Sequence, residues 1–264
     1  MRPGETLYLM YHELEAPGRP LCQAEPGYVR YVLSQENFRE QLDWLRREEI
    51  RGISVSQALT ESVARGIVIT FDDGCESDLS IALPLLKKNG FGATFYITLE
   101  FLGRPGYLQP PQVREIADAG FDVGCHSMTH AYLDDLDQAG LHREIGDAKT
   151  QLEQILGRPV EHFSCPGGRW SPQVARVATQ AGYRSVATSR IGINRRDSDP
   201  FHLSRVAVMR GTELAEFQSL CRGRNLRGLQ LRDFIRATSR RVLGNSLYDR
   251  LRQIALGKNP SQKD

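Results

Sequence analysis

Two polar segments of the chain carry side chains that can bind a metal ion and move a proton. Adjacent carboxylates, Asp72 and Asp73, follow the apolar run IVITF and precede Gly74, which allows a sharp turn. Further along, His126 and His130 form an HxxxH pair directly after another apolar run. By itself the acid pair also fits a magnesium site or a helix cap. The histidine spacing, in a helical turn, brings two imidazoles to the same side.

Together, two histidines and one aspartate make a three-ligand set for zinc or a similar divalent ion. Such a set leaves a coordination position open for water and substrate, which indicates catalysis. The ion polarises a carbonyl and lowers the pKa of bound water to about 7, so that hydrolysis of an amide or ester becomes feasible. The aspartate of the pair that does not bind the metal is then the natural base. We expect Zn²⁺, or Co²⁺, Ni²⁺ or Fe²⁺ in its place.

The elements that must position these side chains are short strands alternating with helices. Apolar, β-branched or aromatic runs predict seven strands, at 7–11, 67–71, 93–97, 121–125, 162–165, 185–188 and 205–208. Helical patterns lie between several of them and end near glycines such as Gly90 and Gly157. This order predicts parallel βα units, which place functional groups after the carboxyl ends of the strands. The segments YHE, DDG, HSMTH and PGGRW all fall there.

Length and composition favour one sizeable α/β domain. The chain has 264 residues, 40% of them hydrophobic and 25% charged, and a net charge of only +2, which gives no support for nucleic-acid binding. Its five cysteines are scattered without a CxxC pair, so reduced, packed thiols are expected. We find no secretory signal pattern and no apolar run of membrane-spanning length, and we expect a cytoplasmic protein.

The sequence changes character after Arg210. From Gly211 onward it is Arg-rich and helical in pattern, with 11 basic against 5 acidic residues, a net charge of +6. Residues 222–256 therefore fit a helix attracted to anionic membrane, and equally the solvated face of a helix packed on the barrel. The predicted organisation is a domain over 1–210 and a basic helical extension over 211–264.

The motifs resemble those of the polysaccharide deacetylase family, carbohydrate esterase family 4, which includes the nodulation-type chitooligosaccharide deacetylases. TFDDG at 70–74 is similar to the family's first motif, and HSMTHAYLDDL at 126–136 to its second, HSxTHxxL. The likeness continues through YH at 11–12, SQENFREQLDWL, REIGDAKTQLEQILGRPVEHFSCPGG and DPFHLSRVAV. It covers most of the first 210 residues.

The resemblance implies a distorted (β/α)₇ barrel, here with the C-terminal helical extension. It implies that Asp72 is the general base, that Asp73, His126 and His130 hold the metal, and that a backbone N–H helps to stabilise the tetrahedral oxyanion.

The third motif departs from the family pattern FRPPYG, because residues 163–168 read FSCPGG. Ser164 stands where the family has the arginine that orients the base, and Gly167 stands where it has tyrosine. The Gly167 N–H remains our candidate oxyanion donor, since that role needs no side chain. Arg169 is a candidate substrate-binding residue or an exposed loop arginine, and Trp170 is a candidate sugar-stacking residue or part of the core.

The general acid has no plain counterpart of the family's Leu-x-His motif. His202, in HLSRV, is the nearest histidine and our candidate for the acid, although it also fits a surface residue beside a strand. His12 follows the first strand and is a candidate for lining the substrate site, or a hydrogen-bonded core residue.

The function expected is metal-dependent removal of an acetyl group from an N-acetylhexosamine in a glycan or lipid-linked oligosaccharide, in exopolysaccharide or capsule assembly. On this hypothesis the basic extension holds the enzyme at the inner membrane surface. Two alternatives stay open. One is a hydrolase of the same fold that acts on another amide or a cyclic imide, and the other is a catalytically silent glycan-binding module, which the missing arginine favours.

Overall fold

The computed structural model describes residues 4–61, 66–224, 226 and 228–230. The strands are β1 Glu5–Tyr11, β2 Leu14–Glu15, β3 Leu33–Ser34, β4 Arg51–Ile53, β5 Gly66–Phe71, β6 Thr94–Ile97, β7 Asp122–Cys125, β8 His162–Ser164, β9 Ser185–Ala187, β10 Asn194–Arg195 and β11 Val206–Ala207. The α-helices are α1 Pro26–Val29, α2 Gln35–Arg47, α3 Val55–Thr60, α4 Leu83–Asn89, α5 Pro110–Asp118, α6 Gln138–Leu141, α7 Ala148–Leu156, α8 Pro172–Gln180 and α9 Leu214–Cys221.

The main sheet is parallel and curls into a barrel. Its strand order is β10-β1-β5-β6-β7-β8-β9, with β4 paired to β5, and only the short β10 runs antiparallel to its neighbour. The chain after β9 returns to the first strand, because Leu203 bridges Ala187 and β11 pairs with β1. The predicted distorted (β/α)₇ barrel is confirmed.

Two apolar layers pack against the two faces of the sheet, as the period-two alternation of a strand requires. On β5, Ile67, Ile69 and Phe71 face the helices, whereas Val68 faces the barrel interior with Tyr8 and Tyr96. Across the outer face, the rings of Tyr11, Phe71 and Phe95 stack on adjacent strands with centroids 5.2 and 5.1 Å apart. This layer anchors the strand ends from which the polar motifs project.

The seven predicted strands and the main helices are confirmed. Ser34 caps α2 by accepting a hydrogen bond from the Asn37 amide, and Gly90 and Gly157 end their helices in the left-handed conformation. Single turns of π-helix precede α4 and α7, at Asp78–Ala82 and His142–Asp147. The sequence did not predict β2, β3, β4 and β10, because strands of two or three residues are too short to show a periodicity.

The beginning of the C-terminal segment packs on the barrel. Phe217 of α9 is buried and its ring lies edge-on to Trp44 of α2, with centroids 5.9 Å apart. Most of 222–256, the proposed membrane-contact segment, lies outside the described residues, and the domain boundary at Arg210 stays a prediction. None of the described helices combines the length and apolar character needed to span a membrane.

Candidate active site

Strand β5 delivers the two adjacent carboxylates to the rim of the barrel. The Asp72 amide still donates to Tyr11 O at 3.0 Å, which continues the pairing with β1. Thr70 and Asp72 therefore point to the barrel interior, opposite to Phe71. Asp73 then turns out of the strand with a φ of 82°, a strained conformation for a residue with a side chain. The turn sends the neighbouring carboxylates in different directions.

The two histidines lie at the end of β7, but not on a helix. The HxxxH spacing predicted a helical turn, and this prediction is wrong: residues 126–130 form a loop in which Ser127 and His130 have φ values of 74° and 68°. The His130 amide donates to Ser127 Oγ at 2.9 Å, so a tight local turn brings the rings together instead. Their centroids are 5.0 Å apart.

A buried carboxylate that sequence reasoning missed supports this loop. Glu144 accepts hydrogen bonds from the Met128 amide at 3.1 Å and from the Thr129 amide at 2.9 Å, and it also accepts from the Thr129 hydroxyl. Its side chain is 4% exposed, so these bonds replace the water that the charge would otherwise have. The only sequence signal was an acidic residue on the inner side of an amphipathic helix.

The side chains of Asp73, His126 and His130 fit a divalent metal ion. Asp73 Oδ1 lies 3.5 Å from His126 Nε2 and 3.4 Å from His130 Nε2. An ion with tetrahedral bonds of about 2.1 Å would hold neighbouring donor atoms about 3.4 Å apart. Asp73 Oδ1 is buried without a hydrogen-bond partner among the described residues, as expected of an atom reserved for a ligand. His126 Nδ1 is 2.9 Å from Ser164 O, which leaves Nε2 for the ion.

A buried arginine that the sequence analysis did not single out holds Asp72. Arg205 donates from its two terminal nitrogens to the two Asp72 oxygens at 2.7 and 2.8 Å, a bidentate pair. It also donates to Thr70 Oγ1, Ser164 Oγ and Thr188 O. The residue lies in the stretch between Leu203 and β11 that closes the barrel, which is why it reaches the interior. The one sign of a buried arginine in the sequence was Arg205 itself, which begins the predicted strand RVAV.

This contact sets the charge of Asp72. Burial alone would raise the pKa of the carboxyl, but Arg205, and after it His126, hold that pKa below its ordinary value. Burial lowers the pKa of His126 to about 4, so its ring is neutral at pH 7. The site therefore contains an ionised carboxylate beside an imidazole free to bind a metal.

Arg205 supplies the charge that the third motif lacks. Ser164 Oγ lies 2.7 Å from Arg205 and 3.3 Å from Asp72 Oδ2, so the small side chain leaves room for a guanidinium that arrives from another strand. The missing family arginine thus does not leave Asp72 without a cationic partner.

Gly167 is the second position at which the third motif departs from the family pattern, and the side chain of Tyr132 lies close to it. Gly167 has a φ of 57°, and a Cβ added there would lie 2.9 Å from Cε1 of Tyr132. The amides of Gly168 and Arg169 bond to Cys165 O and Pro166 O, and the Gly167 amide takes no part in these two bonds. Arg169 is 3% exposed, with its guanidinium 4.2 Å over the Tyr132 ring and 3.6 Å from Asp134, so the expectation of an exposed loop arginine is wrong.

The remaining histidines lie in different surroundings. The His12 ring is tilted against that of Tyr31, with centroids 4.7 Å apart, and its Nδ1 is buried without a partner among the described residues. The charges that act on it include Asp73 and Asp72. His202 stacks on Trp170 at 4.0 Å, and the charges that act on it are Arg190 and Asp199. Of these two histidines, only His12 is influenced by the charges of Asp72 and Asp73.

Known proteins with similar sequences are deacetylases of glycans. The polysaccharide deacetylase family profile matches residues 61–186. The chitooligosaccharide deacetylase of Azorhizobium caulinodans is 34% identical over 125 residues, 47% of this chain and 58% of that protein. The peptidoglycan-N-acetylglucosamine deacetylase of Bacillus cereus is 32% identical over 124 residues, 47% of this chain and 56% of that protein. The chain thus spans little more than half the length of either.

The fold has counterparts among solved structures. The Streptococcus pyogenes deacetylase PplD, in complex with acetate, superposes with a TM-score of 0.72 at 20% identity, over 83% of this chain and 98% of that one. IcaB from Ammonifex degensii gives 0.70 at 22% identity, over 83% and 97%. At this identity the likeness concerns the fold. With the family profile and the motif residues gathered at one rim of the barrel, the comparisons lead to one conclusion: residues 61–186 are a polysaccharide deacetylase family domain.

Proposed function

We propose that the protein is a metal-dependent deacetylase that hydrolyses the acetamide of an N-acetylhexosamine in a glycan or lipid-linked oligosaccharide. The observation that carries this proposal is the pairing of two separate units at the barrel rim. Asp73, His126 and His130 offer three converging donor atoms, and Asp72 beside them is ionised and held by Arg205. A structural metal site has no need for a poised base next to it.

A divalent ion held by these three residues would supply a Lewis acid for the acyl carbonyl and would acidify a water molecule. The chain's own part begins with Asp72, whose Oδ2 lies 3.8 Å from His126 Nε2, beside the candidate metal site. As a carboxylate, Asp72 takes the proton of that water while the oxygen attacks the acetyl carbon. The Gly167 N–H is the donor that we assign to the developing oxyanion.

The amine that leaves needs a proton, and we assign its delivery to His12 rather than to His202. Burial lowers the pKa of His12, the charges of Asp73 and Asp72 oppose that shift, and its buried Nδ1 has no hydrogen-bond partner among the described residues. The contacts of His202 with Trp170 suit a sugar-facing surface better than proton transfer. His12→Gln should therefore reduce turnover by about 10²-fold. His202→Gln should mainly raise KM.

The setting of the reaction is part of the proposal. We keep as hypotheses a cytoplasmic location, a role in exopolysaccharide or capsule assembly, and contact of 222–256 with anionic membrane. A chain that ends at Arg210 and binds anionic vesicles as tightly as the full chain would rule out that contact.

The decisive experiment is acetate release from N-acetylglucosamine oligomers and from lipid-linked N-acetylhexosamine by the zinc-loaded protein. Asp72→Asn and His126→Ala should each reduce release to a small residual rate. Asp118→Asn and His142→Ala make the same chemical changes at exposed positions and serve as matched controls, which should behave as wild type.

Two other outcomes would point to the alternatives. Release of a carboxylate from a cyclic imide, with none from any glycan, would favour the hydrolase of another amide. Glycan binding without turnover in a metal-loaded protein would favour a silent binding module. The contact of Arg205 with Asp72 argues against a silent binding module. That alternative was favoured by the missing arginine of the third motif, and Arg205 supplies the cation that Asp72 would otherwise lack.

A further inference from the structure

A second group of potential metal ligands lies apart from the site described above. Single ligand atoms of Glu13, Cys22 and Cys75 all lie within 4.8 Å of one another. Glu13 follows β1, Cys22 lies in the loop before α1, and Cys75 follows the DDG turn. Glu13 and Cys75 are fully buried and Cys22 is partly exposed, so the group is open to solvent on one side.

A fourth side chain near this cluster lacks a partner. Asp78 is 0% exposed, and neither of its carboxylate oxygens makes a hydrogen bond with a described residue. Burial, followed by the influence of Cys22 and Asp73, raises the pKa of this carboxyl well above its usual range. A buried carboxyl that bonds to nothing is costly, and proteins normally resolve that cost by pairing the group or by giving it a metal.

The residues around the cluster hold the Glu13 carboxylate in a fixed orientation. Arg19 donates to Oε1 at 2.5 Å, and the Cys22 amide donates to both oxygens. The Tyr28 hydroxyl lies 2.9 Å from Oε2 and 3.4 Å from Cys75 Sγ, between the carboxylate and the thiol. Such outer contacts orient a metal ligand and persist when the ion binds.

From these contacts we propose that Glu13, Cys22 and Cys75, whose ligand atoms already converge, bind a second, structural zinc ion, and that the unpartnered Asp78 carboxyl moves in as the fourth ligand. Two thiolates and two carboxylates make a four-donor tetrahedral set, and thiolates select zinc over magnesium or calcium. With Zn–S bonds of about 2.3 Å the two sulfurs would stand about 3.8 Å apart. The ligand atoms of the three converging residues now lie within 4.8 Å of one another. Binding releases the two thiol protons and the Asp78 proton to solvent.

The position of the cluster indicates which segments a second ion would hold together. Cys75 comes two residues after Asp73, so the ion would fix the turn from which Asp73 projects. Cys22 contacts Gly106, where a Cβ would lie 2.9 Å from its sulfur, and its thiol donates to Gly106 O. A zinc ion would therefore tie the loop before α1 to the β5 turn and to the 103–108 segment.

The test is a count of zinc per full-length chain after reconstitution under a non-chelating reductant. Wild type should bind two equivalents, His126→Ala one, and Cys22→Ser, Cys75→Ser or Asp78→Asn one. Cys221→Ser removes a buried thiol elsewhere and should still bind two. Cobalt substitution adds a readout that leaves the cluster unaltered: His126→Ala with Co²⁺ should show a thiolate-to-cobalt charge-transfer band in the near ultraviolet.

Other results would overturn the site. One zinc in wild type, or two zinc ions retained in Cys22→Ser, would exclude it. So would the absence of the charge-transfer band in cobalt-loaded His126→Ala, whose thiols are intact even if the cysteine variants fail to fold. A Cys22–Cys75 disulfide that forms without loss of metal would also exclude it. None of these outcomes depends on whether the protein releases acetate.

Discussion

The two halves of the active site are built in different ways. The proposed metal ligands Asp73, His126 and His130 come from two loops, and the backbone is strained at Asp73 and His130, which have positive φ. The proposed base, Asp72, extends a regular strand and is held by Arg205, which reaches it from the segment before β11. The metal half thus depends on local turns, and the base half depends on closure of the barrel.

Because of this difference, substitutions in the two halves should affect activity and folding stability to different degrees. Asp73 Oδ1 has no hydrogen-bond partner among the described residues, so in the absence of a metal its charge contributes little to the folded state. Asp72 and Arg205 are 2% and 1% exposed and form a bidentate pair, and both have further hydrogen-bond partners such as Ser164. Removing one partner of such a pair leaves an uncompensated buried charge. We therefore expect the metal half to matter for activity and the base half for activity and folding alike.

The largest effect should come from the metal half. Asp73→Asn should reduce acetate release by at least about 10³-fold, because one of three ligands is lost. The free energy of unfolding of the metal-free protein, measured in urea, should be unchanged or higher, since a buried unpaired charge disappears. A marked loss of stability in the metal-free variant would erase the contrast between the halves.

The base half should respond in both assays. Arg205→Met should lower the free energy of unfolding by about 3–5 kcal/mol. It should also lower kcat/KM by about 10²-fold. If Arg205 acts through Asp72, adding Arg205→Met to Asp72→Asn should cost no further activity. Additive losses in that double variant would show that Arg205 has a separate role.

The pH profile provides a second readout of the same contact. The active base is the deprotonated carboxylate, so activity is lost as pH falls through the pKa of Asp72. Arg205 holds that pKa below its ordinary value against the opposing effect of burial. Arg205→Met removes the largest influence that opposes burial, so the pKa of Asp72 rises and the acid limb of kcat/KM should move to higher pH. An unmoved acid limb would mean that the arginine is only structural.

The relocation of the arginine can be tested by reversing it. Ser164→Arg in the Arg205→Met background restores a cation at the position where the family has one. We expect it to recover about 10-fold of the lost kcat/KM. Ser164→Lys is the matched control, because lysine brings the charge without the bidentate fork. Equal recovery by both would show that charge alone suffices.

The supporting loop should give a smaller effect. Glu144→Gln keeps the shape of the side chain but weakens its bonds to the Met128 and Thr129 amides. The zinc affinity should fall by about 10-fold, while the stability of the metal-free protein changes little. Equilibrium competition with a chelator measures this affinity, with the exposed Glu115→Gln as control.

The smallest effect is expected at Gly167. Gly167→Ala places a methyl group against Tyr132 at a positive φ, so the backbone N–H must shift, with a loss of about 10-fold in kcat. Tyr132→Leu in the same chain should return part of the loss by removing the clash. No change in kcat would argue against the Gly167 amide as an oxyanion donor.

Local patterns in the sequence predicted the elements and the candidate site residues. Apolar runs and glycine-terminated helices predicted the parallel strands, because these patterns depend on neighbours within a few residues, and the resemblance to the family supplied the barrel. Asp72, Asp73, His126 and His130 could be chosen locally too, since their motifs lie within single short segments. The turn geometry at Ser127 and His130 was still missed, since a spacing of four does not distinguish a helix from a tight loop.

Tertiary structure decided the rest. Arg205 meets Asp72 only because the segment after β9 returns to β1 and closes the barrel, a contact between residues 133 positions apart. Glu144 likewise takes its place through packing, and Tyr132, although it lies within the second motif, meets Gly167 and Arg169 only in the folded chain. Local sequence patterns record which face of a strand or helix is buried, but the partner of a buried charge depends on how distant segments meet.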